Sequence, residues 1–124
     1  MRQALLIEDN GLFQSALRQL LESMGFSTVC AFSRSEALQY AEIPFDIIIF
    51  DYVDPGDVSP YQFIRRLQST EANQHTPLIA MTGYSVLSKP LPVSPVLHKP
   101  FDIRVLEGHI WRAIRGAKSN DLLA

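Results

Sequence analysis

The chain is short of cysteine, of long apolar runs and of any charge excess, and each shortage removes a class of function. Its single cysteine, Cys30, has no partner for an internal disulfide. Within Phe26 to Ala31 it reads as a small buried side chain on a strand rather than a reactive thiol. No apolar stretch approaches the ~20 residues needed to cross a bilayer, so no membrane association is expected. Met1-Arg2-Gln3 leads straight into a short strand-like run, not a signal-peptide core, which predicts a cytoplasmic protein. With 11 Lys and Arg against 13 Asp and Glu, the net charge of -2 leaves no basic footprint for nucleic acid. No His/Cys spacing suits zinc; His98 and His109 read as packing or partly exposed residues, and His75 belongs to a turn. Repeats and low-complexity tracts are missing as well.

What remains is a chain of 124 residues, 47% hydrophobic and 19% charged, long enough for one domain with a real core. Strand-like and helix-like patterns alternate, which predicts βα units and a parallel sheet. Ala4 to Ile7 is a first strand. Leu12, Phe13, Ala16, Leu17, Leu20, Leu21 and Met24 then recur at helical spacing, and Gly25 stops that helix. Phe26 to Phe32 is a second strand. Ser33 with Glu36 has the form of a capping box opening a helix through Ala37, Leu38 and Ala41, closed by Pro44. Phe45 to Phe50, the most apolar strand, is expected at the centre.

A loop from Asp51 to Pro60 leads into a third helix that begins at Pro60 and turns Phe63, Ile64 and Leu67 inward. Pro77 to Met81 and Val96 to His98 are the last strands. Asp102 caps a final helix whose core face is Val105, Leu106, His109, Ile110, Ala113 and Ile114, and Ser119 to Ala124 reads as a frayed tail. Tyr84 to Pro95 breaks the alternation. Pro90, Pro92 and Pro95 stand where a fourth crossover helix belongs, and proline inside a helix costs roughly 3 kcal/mol. An extended loop with at most one turn is expected there.

Three strand-like runs end in different polar groups: Glu8-Asp9, Asp51, and Lys99 after His98. Ligands of open α/β sheets sit beyond the carboxyl ends of the strands. If these runs lie side by side, carboxylates and one ammonium share a crevice suited to a divalent cation and a phosphoryl group. Two negative charges ~5 Å apart repel by about 3 kcal/mol at an effective dielectric of ~20, which is a reason to expect a cation.

With Glu8-Asp9, Asp51, Pro55, Thr82 and Lys99-Pro100-Phe101 in this order, nearly the whole chain resembles the receiver domain of bacterial response regulators. The resemblance implies a doubly wound five-stranded parallel sheet of flavodoxin-like order 2-1-3-4-5, here with the fourth helix shortened or missing, and a receiver domain over residues 1–118. It implies Asp51 as phosphoacceptor and Asp9 as a direct Mg²⁺ ligand. Glu8 would help hold the metal through water, with the main-chain carbonyl of Val53 completing the set. Thr82 and Lys99 would each bond a phosphoryl oxygen, and the Lys99-Pro100 peptide would be cis. The implied partners are a sensor histidine kinase or a histidine phosphotransfer protein, and the output is a shift of conformation rather than turnover of a substrate.

The chain also departs from the family pattern. Val96 stands where the family usually has an aromatic residue, and Val58-Ser59 where Asp-Gly is common. Only 17 positions separate Thr82 from Lys99, fewer than in a typical receiver. Val53 and Tyr84, bulky and without basic groups, are expected to shield an aspartyl phosphate from water. Lys89-Pro90 reads as surface loop. Trp111 lies on the polar side of the last helix with Arg104, Glu107 and Arg115, either along neighbouring stems or as an anchor for a second copy or a protein target. Two other functions compete. One is a pseudo-receiver that binds without phosphate. The other is a haloacid-dehalogenase-type phosphatase, which needs an aspartate where Val53 stands.

Overall fold

The computed structural model describes residues 1–52, 57–83, 92–93 and 95–123, with 117–123 by backbone alone. Its elements are β1 (Arg2–Ile7), α1 (Gly11–Ser23), β2 (Phe26–Ala31), α2 (Arg34–Ala37), β3 (Ile47–Asp51), α3 (Pro60–Gln68), β4 (Leu78–Thr82), β5 (Val96–His98) and α4 (Ile103–Leu123). All strands are parallel, in the order β2-β1-β3-β4-β5. The expected flavodoxin-like sheet is therefore present. Residues 84–91 and 94, where the loop replacing a fourth helix is expected, and Lys89-Pro90 lie outside the described residues. Among the described residues, no helix is long and apolar enough to cross a membrane.

Strict alternation along buried strands sends neighbours to opposite faces. Leu5, Ile7, Ile48, Phe50 and Ala80 pack with Ala37 of α2 and Phe63, Ile64 and Leu67 of α3. Ala4, Leu6, Ile47, Ile49, Ile79 and Met81 pack with Leu17 and Leu21 of α1 and Leu106 and Ile110 of α4. β3 is buried on both faces throughout, which is why its sequence shows no polar residue before Asp51.

Helix ends follow local chemistry. The Asn10 side chain accepts from the Phe13 N–H at 3.0 Å to open α1, and Gly25 ends it at φ 92°, a left-handed conformation that a Cβ would strain. Ser33 accepts from the Glu36 N–H at 3.1 Å, while the Glu36 carboxylate reaches back to the Phe32 N–H at 3.0 Å. Ser59 opens α3 with Pro60 in its first turn.

Some expectations fail, each for a packing reason. Leu12 is 87% exposed and Ala16 is exposed too, because Gln14, Leu17 and Leu21 face the sheet and positions 12 and 16 each lie ~200° around the helix from Gln14. Gln14 is buried in that helix instead, donating to the carbonyls of Glu8 at 3.1 Å and Ala31 at 3.0 Å. Val105 is 45% exposed: with Leu106 and Ile110 facing the sheet, a residue one step earlier is turned ~100° away. His109 is only half-buried for the same reason. The second helix is a single α turn that tightens into a 3-10 turn at Leu38–Tyr40. The expected tail continues α4 to Leu123, since no proline follows Gly116 to stop it.

Candidate functional site

Register places the acidic groups. Ile7 pairs with Phe50, Asp51 with Met81 and Thr82 with His98, so four strands end at one rim. Beyond it, the Lys99 ammonium lies 2.6 Å from Glu8 Oε1 and 3.1 Å from Asp51 Oδ2. One carboxylate oxygen each from Glu8, Asp9 and Asp51 lies within 4.8 Å of the others. Glu8, Asp51 and Thr82 are buried, whereas Asp9 faces solvent. The residues expected from separate strand ends thus meet, with Thr82 closing β4 on the far side of Asp51.

The turn after β5 explains how Lys99 arrives there. The Lys99 N–H donates to the Thr82 carbonyl at 2.7 Å, and the following Lys99-Pro100 peptide is cis, as the resemblance implied. The ammonium also rests 4.8 Å from the centre of the Phe13 ring, which Phe101 meets edge-on at 5.9 Å. An aromatic face is a favourable seat for a cation that bonds acids on its other side.

Three carboxylates against one ammonium leave excess negative charge. Burial pushes the Glu8 carboxyl up to about 7; the Lys99 hydrogen bond opposes this, while Asp9 and Asp51 add to it. For Lys99, burial works to lower the pKa, but the contacts with Glu8 and Asp51 outweigh it and hold the amine above its ordinary value. A donor set made only of carboxylate oxygens, one exposed and two buried, fits a hard divalent cation such as Mg²⁺ and no soft metal. Val53, expected to lend its carbonyl, and Pro55 and Tyr84 lie outside the described residues.

Sequence reasoning missed the groups that brace this crevice. Arg34 is buried, and its guanidinium donates to the carbonyls of Asp51 at 2.7 Å, Tyr52 at 3.2 Å and Val58 at 2.7 Å. Asp57 answers by accepting from the N–H groups of Arg34, Ser35 and Val58. Burial alone would raise the Asp57 carboxyl; these donors prevail and hold it below its ordinary value. One signal was available: a cation in the first turn of a helix opposes the macrodipole unless an acid accompanies it.

The departures also have structural places. Val96 pairs with Ala80 and packs half-buried against the α2/α3-side core, so it has no ring to swing. Trp111 is half-buried with the Arg2 guanidinium 5.5 Å above its ring, a stem from β1 rather than from its own helix.

A model of the response regulator receiver domain matches residues 4–110. The chain is 28% identical over 120 residues to the transcriptional regulatory protein CpxR of Escherichia coli K12, covering 93% of this chain and 50% of that one. It therefore spans about half the length of that relative. It is 33% identical over 86 residues to the polar-differentiation response regulator DivK of Brucella ovis, covering 68% of this chain and 69% of DivK. In structure it is similar to the receiver domain of the sensor histidine kinase PA1611 from Pseudomonas aeruginosa, with TM-score 0.80 and 25% identity over 91% of this chain and 97% of that one. That domain holds a magnesium ion in its active-site cleft.

Proposed function

This chain belongs to the response regulator receiver domain family, and from that premise we propose that Asp51 accepts a phosphoryl group from a histidine kinase or a histidine phosphotransfer protein. The receiver unit spans residues 1–118. The observation that carries the proposal is the Lys99 ammonium bridging Glu8 and Asp51 at the rim of the sheet.

Phosphoryl transfer depends on placement and charge neutralisation more than on covalent chemistry by the protein. An Asp51 carboxylate oxygen attacks phosphorus in line, the donor's P–N bond breaks, and the leaving nitrogen keeps the electron pair and takes a proton. Glu8, Asp9, Asp51 and the Val53 carbonyl would hold Mg²⁺, which would supply charge neutralisation for the phosphoryl oxygens. The magnesium in the active-site cleft of the similar Pseudomonas receiver supports a metal in this crevice. Lys99 exchanges its contact with Asp51 for one phosphoryl oxygen, and Thr82 bonds another. The added charge of about -1.5 to -2 then shifts the conformation around β4 and β5.

The test is intact-mass spectrometry after incubation with phosphoramidate and Mg²⁺. A phosphoryl adduct is expected on the protein and none on Asp51→Asn; no adduct on the unaltered protein would refute the reading. A second reading, a binding module that works without phosphate, draws support from Val96, which has no large side chain to follow Thr82. Under that reading Mg²⁺ leaves the melting temperature unchanged.

A further inference from the structure

The strand that carries the acceptor is followed by a loop whose two ends are tied to one side chain from a different element. Arg34 Nη1 donates to the carbonyl of Asp51 at 2.7 Å and to that of Tyr52 at 3.2 Å. Its Nε donates to the carbonyl of Val58, on the return limb, at 2.7 Å. Asp57 lies 3.8 Å from the guanidinium and receives three backbone N–H groups, two of them from the first turn of α2. Both side chains of the pair are nearly inaccessible, with relative exposures of 3% and 4%.

A buried guanidinium offers five donors in a rigid plane, and a planar fork can hold two stretches of backbone at a set separation. Helix propensity does not explain it, since a cation in the first turn opposes the dipole. The local fold does not need it for capping either, because Ser33 and Glu36 already do that. What Arg34 does hold is the main chain of the acceptor itself. On the opposite flank the Tyr52 N–H donates to the Met81 carbonyl at 2.7 Å, so the peptide after Asp51 is gripped from both sides.

We propose that Arg34, locked by Asp57, is a positioning residue for phosphoryl transfer. It orients the Asp51 carboxylate by fixing the main-chain carbonyls at the exit of β3. The inference rests on Asp51 being the acceptor. It adds that α2, which contributes none of the metal-holding acids, sets the reactivity of that acceptor. Misplacement of a reacting group by about 1 Å can lower a rate by about 100-fold, so a partial loosening is expected to lower it about ten-fold.

The experiment compares the initial rate of adduct formation from phosphoramidate at saturating Mg²⁺ for the unaltered protein, Arg34→Ala and Arg34→Lys, well below each melting temperature. Arg34→Ala is expected to react about ten-fold more slowly, with methylguanidinium in solution restoring part of the rate. Arg34→Lys, which supplies the charge but not the fork, falls between. A folded Arg34→Ala within two-fold of the unaltered protein overturns the proposal. If Arg34→Ala does not fold, Arg34→Lys decides the matter, and an unchanged rate there overturns it equally. Hydrogen exchange separates this from the reading it rests on. In either folded variant the Tyr52 and Val58 amides must exchange faster while Ile48 to Phe50 do not. Should the unaltered protein form no adduct, the acceptor reading fails, while unchanged exchange at Tyr52 would sink the clamp.

Discussion

The two ends of the sheet are built on opposite principles. At the amino end, beside the start of β3, Asn73 is buried and all its amide valences are used. Its Oδ1 accepts from the Phe45 N–H at 3.0 Å and the Thr76 hydroxyl at 2.9 Å, and its Nδ2 donates to the carbonyls of Ala41 and Ile43, both at 2.8 Å. No net charge is involved, and the knot joins the chain before β3 to the chain before β4. At the carboxyl end, like charges are pressed together around a single ammonium, and burial drives Glu8 up to about 7. One end has its buried polar groups matched; the other retains unspent negative potential. Ligand-binding capacity belongs where the protein has not already matched its own charges.

Removing the neutral knot should do the most damage to folding. Asn73→Ala strands buried backbone groups and is expected to cost about 2–4 kcal/mol in urea denaturation. The Mg²⁺-induced rise in melting temperature should survive in that variant; its loss would mean the two ends are not independent.

Lys99→Met strikes the charged end. It leaves Glu8 and Asp51 facing each other without their cation and should destabilise the metal-free protein by about 1–3 kcal/mol near neutral pH. The loss should shrink at about pH 5, where Glu8 takes up a proton.

Glu8 itself supplies a pH signature. Its folded pKa is raised to about 7 from 4.5, so the folded state binds the extra proton between those values. The associated stability is complete below about 4.5 and is lost as pH rises through about 7. Thermal melts of the metal-free protein should therefore fall across that window, and Glu8→Gln should flatten the fall. A profile that instead rises with pH would contradict the charge-excess account of the crevice.

The smallest effect is expected at the edge of the amino end, where Arg2 covers Trp111. Arg2→Ala should cost under about 1 kcal/mol and alter the tryptophan emission. The mass of Trp111→Ala by light scattering tests whether this flank also joins two copies; an unchanged mass leaves only the intramolecular packing.

The strands themselves and the polar groups that end them were legible because they follow from short-range rules, whereas the order of the strands came only from the family resemblance. Continuous apolar runs at Ala4–Ile7 and Ile47–Phe50 announce strands buried on both faces, and the polar groups directly after them fall at the ligand-binding rim. Side-chain assignments on helices were less secure. Leu12 and Val105 satisfy a helical stripe, yet both are turned off the face that meets the sheet. Gln14 and Arg34, both polar, are buried because they reach backbone carbonyls on other segments. Hydrophobic periodicity cannot register that reason for burial.

From its sequence alone the protein's alternating architecture, its capped helices and the chemical kinds of group at its functional rim are determined, since each depends on residues close along the chain. Folding decided which polar side chain holds which distant carbonyl, how strongly burial opposes the charge on Glu8, and that α2 grips the end of β3. Those outcomes depend on long-range distances and local dielectric, which exist only after the chain has closed.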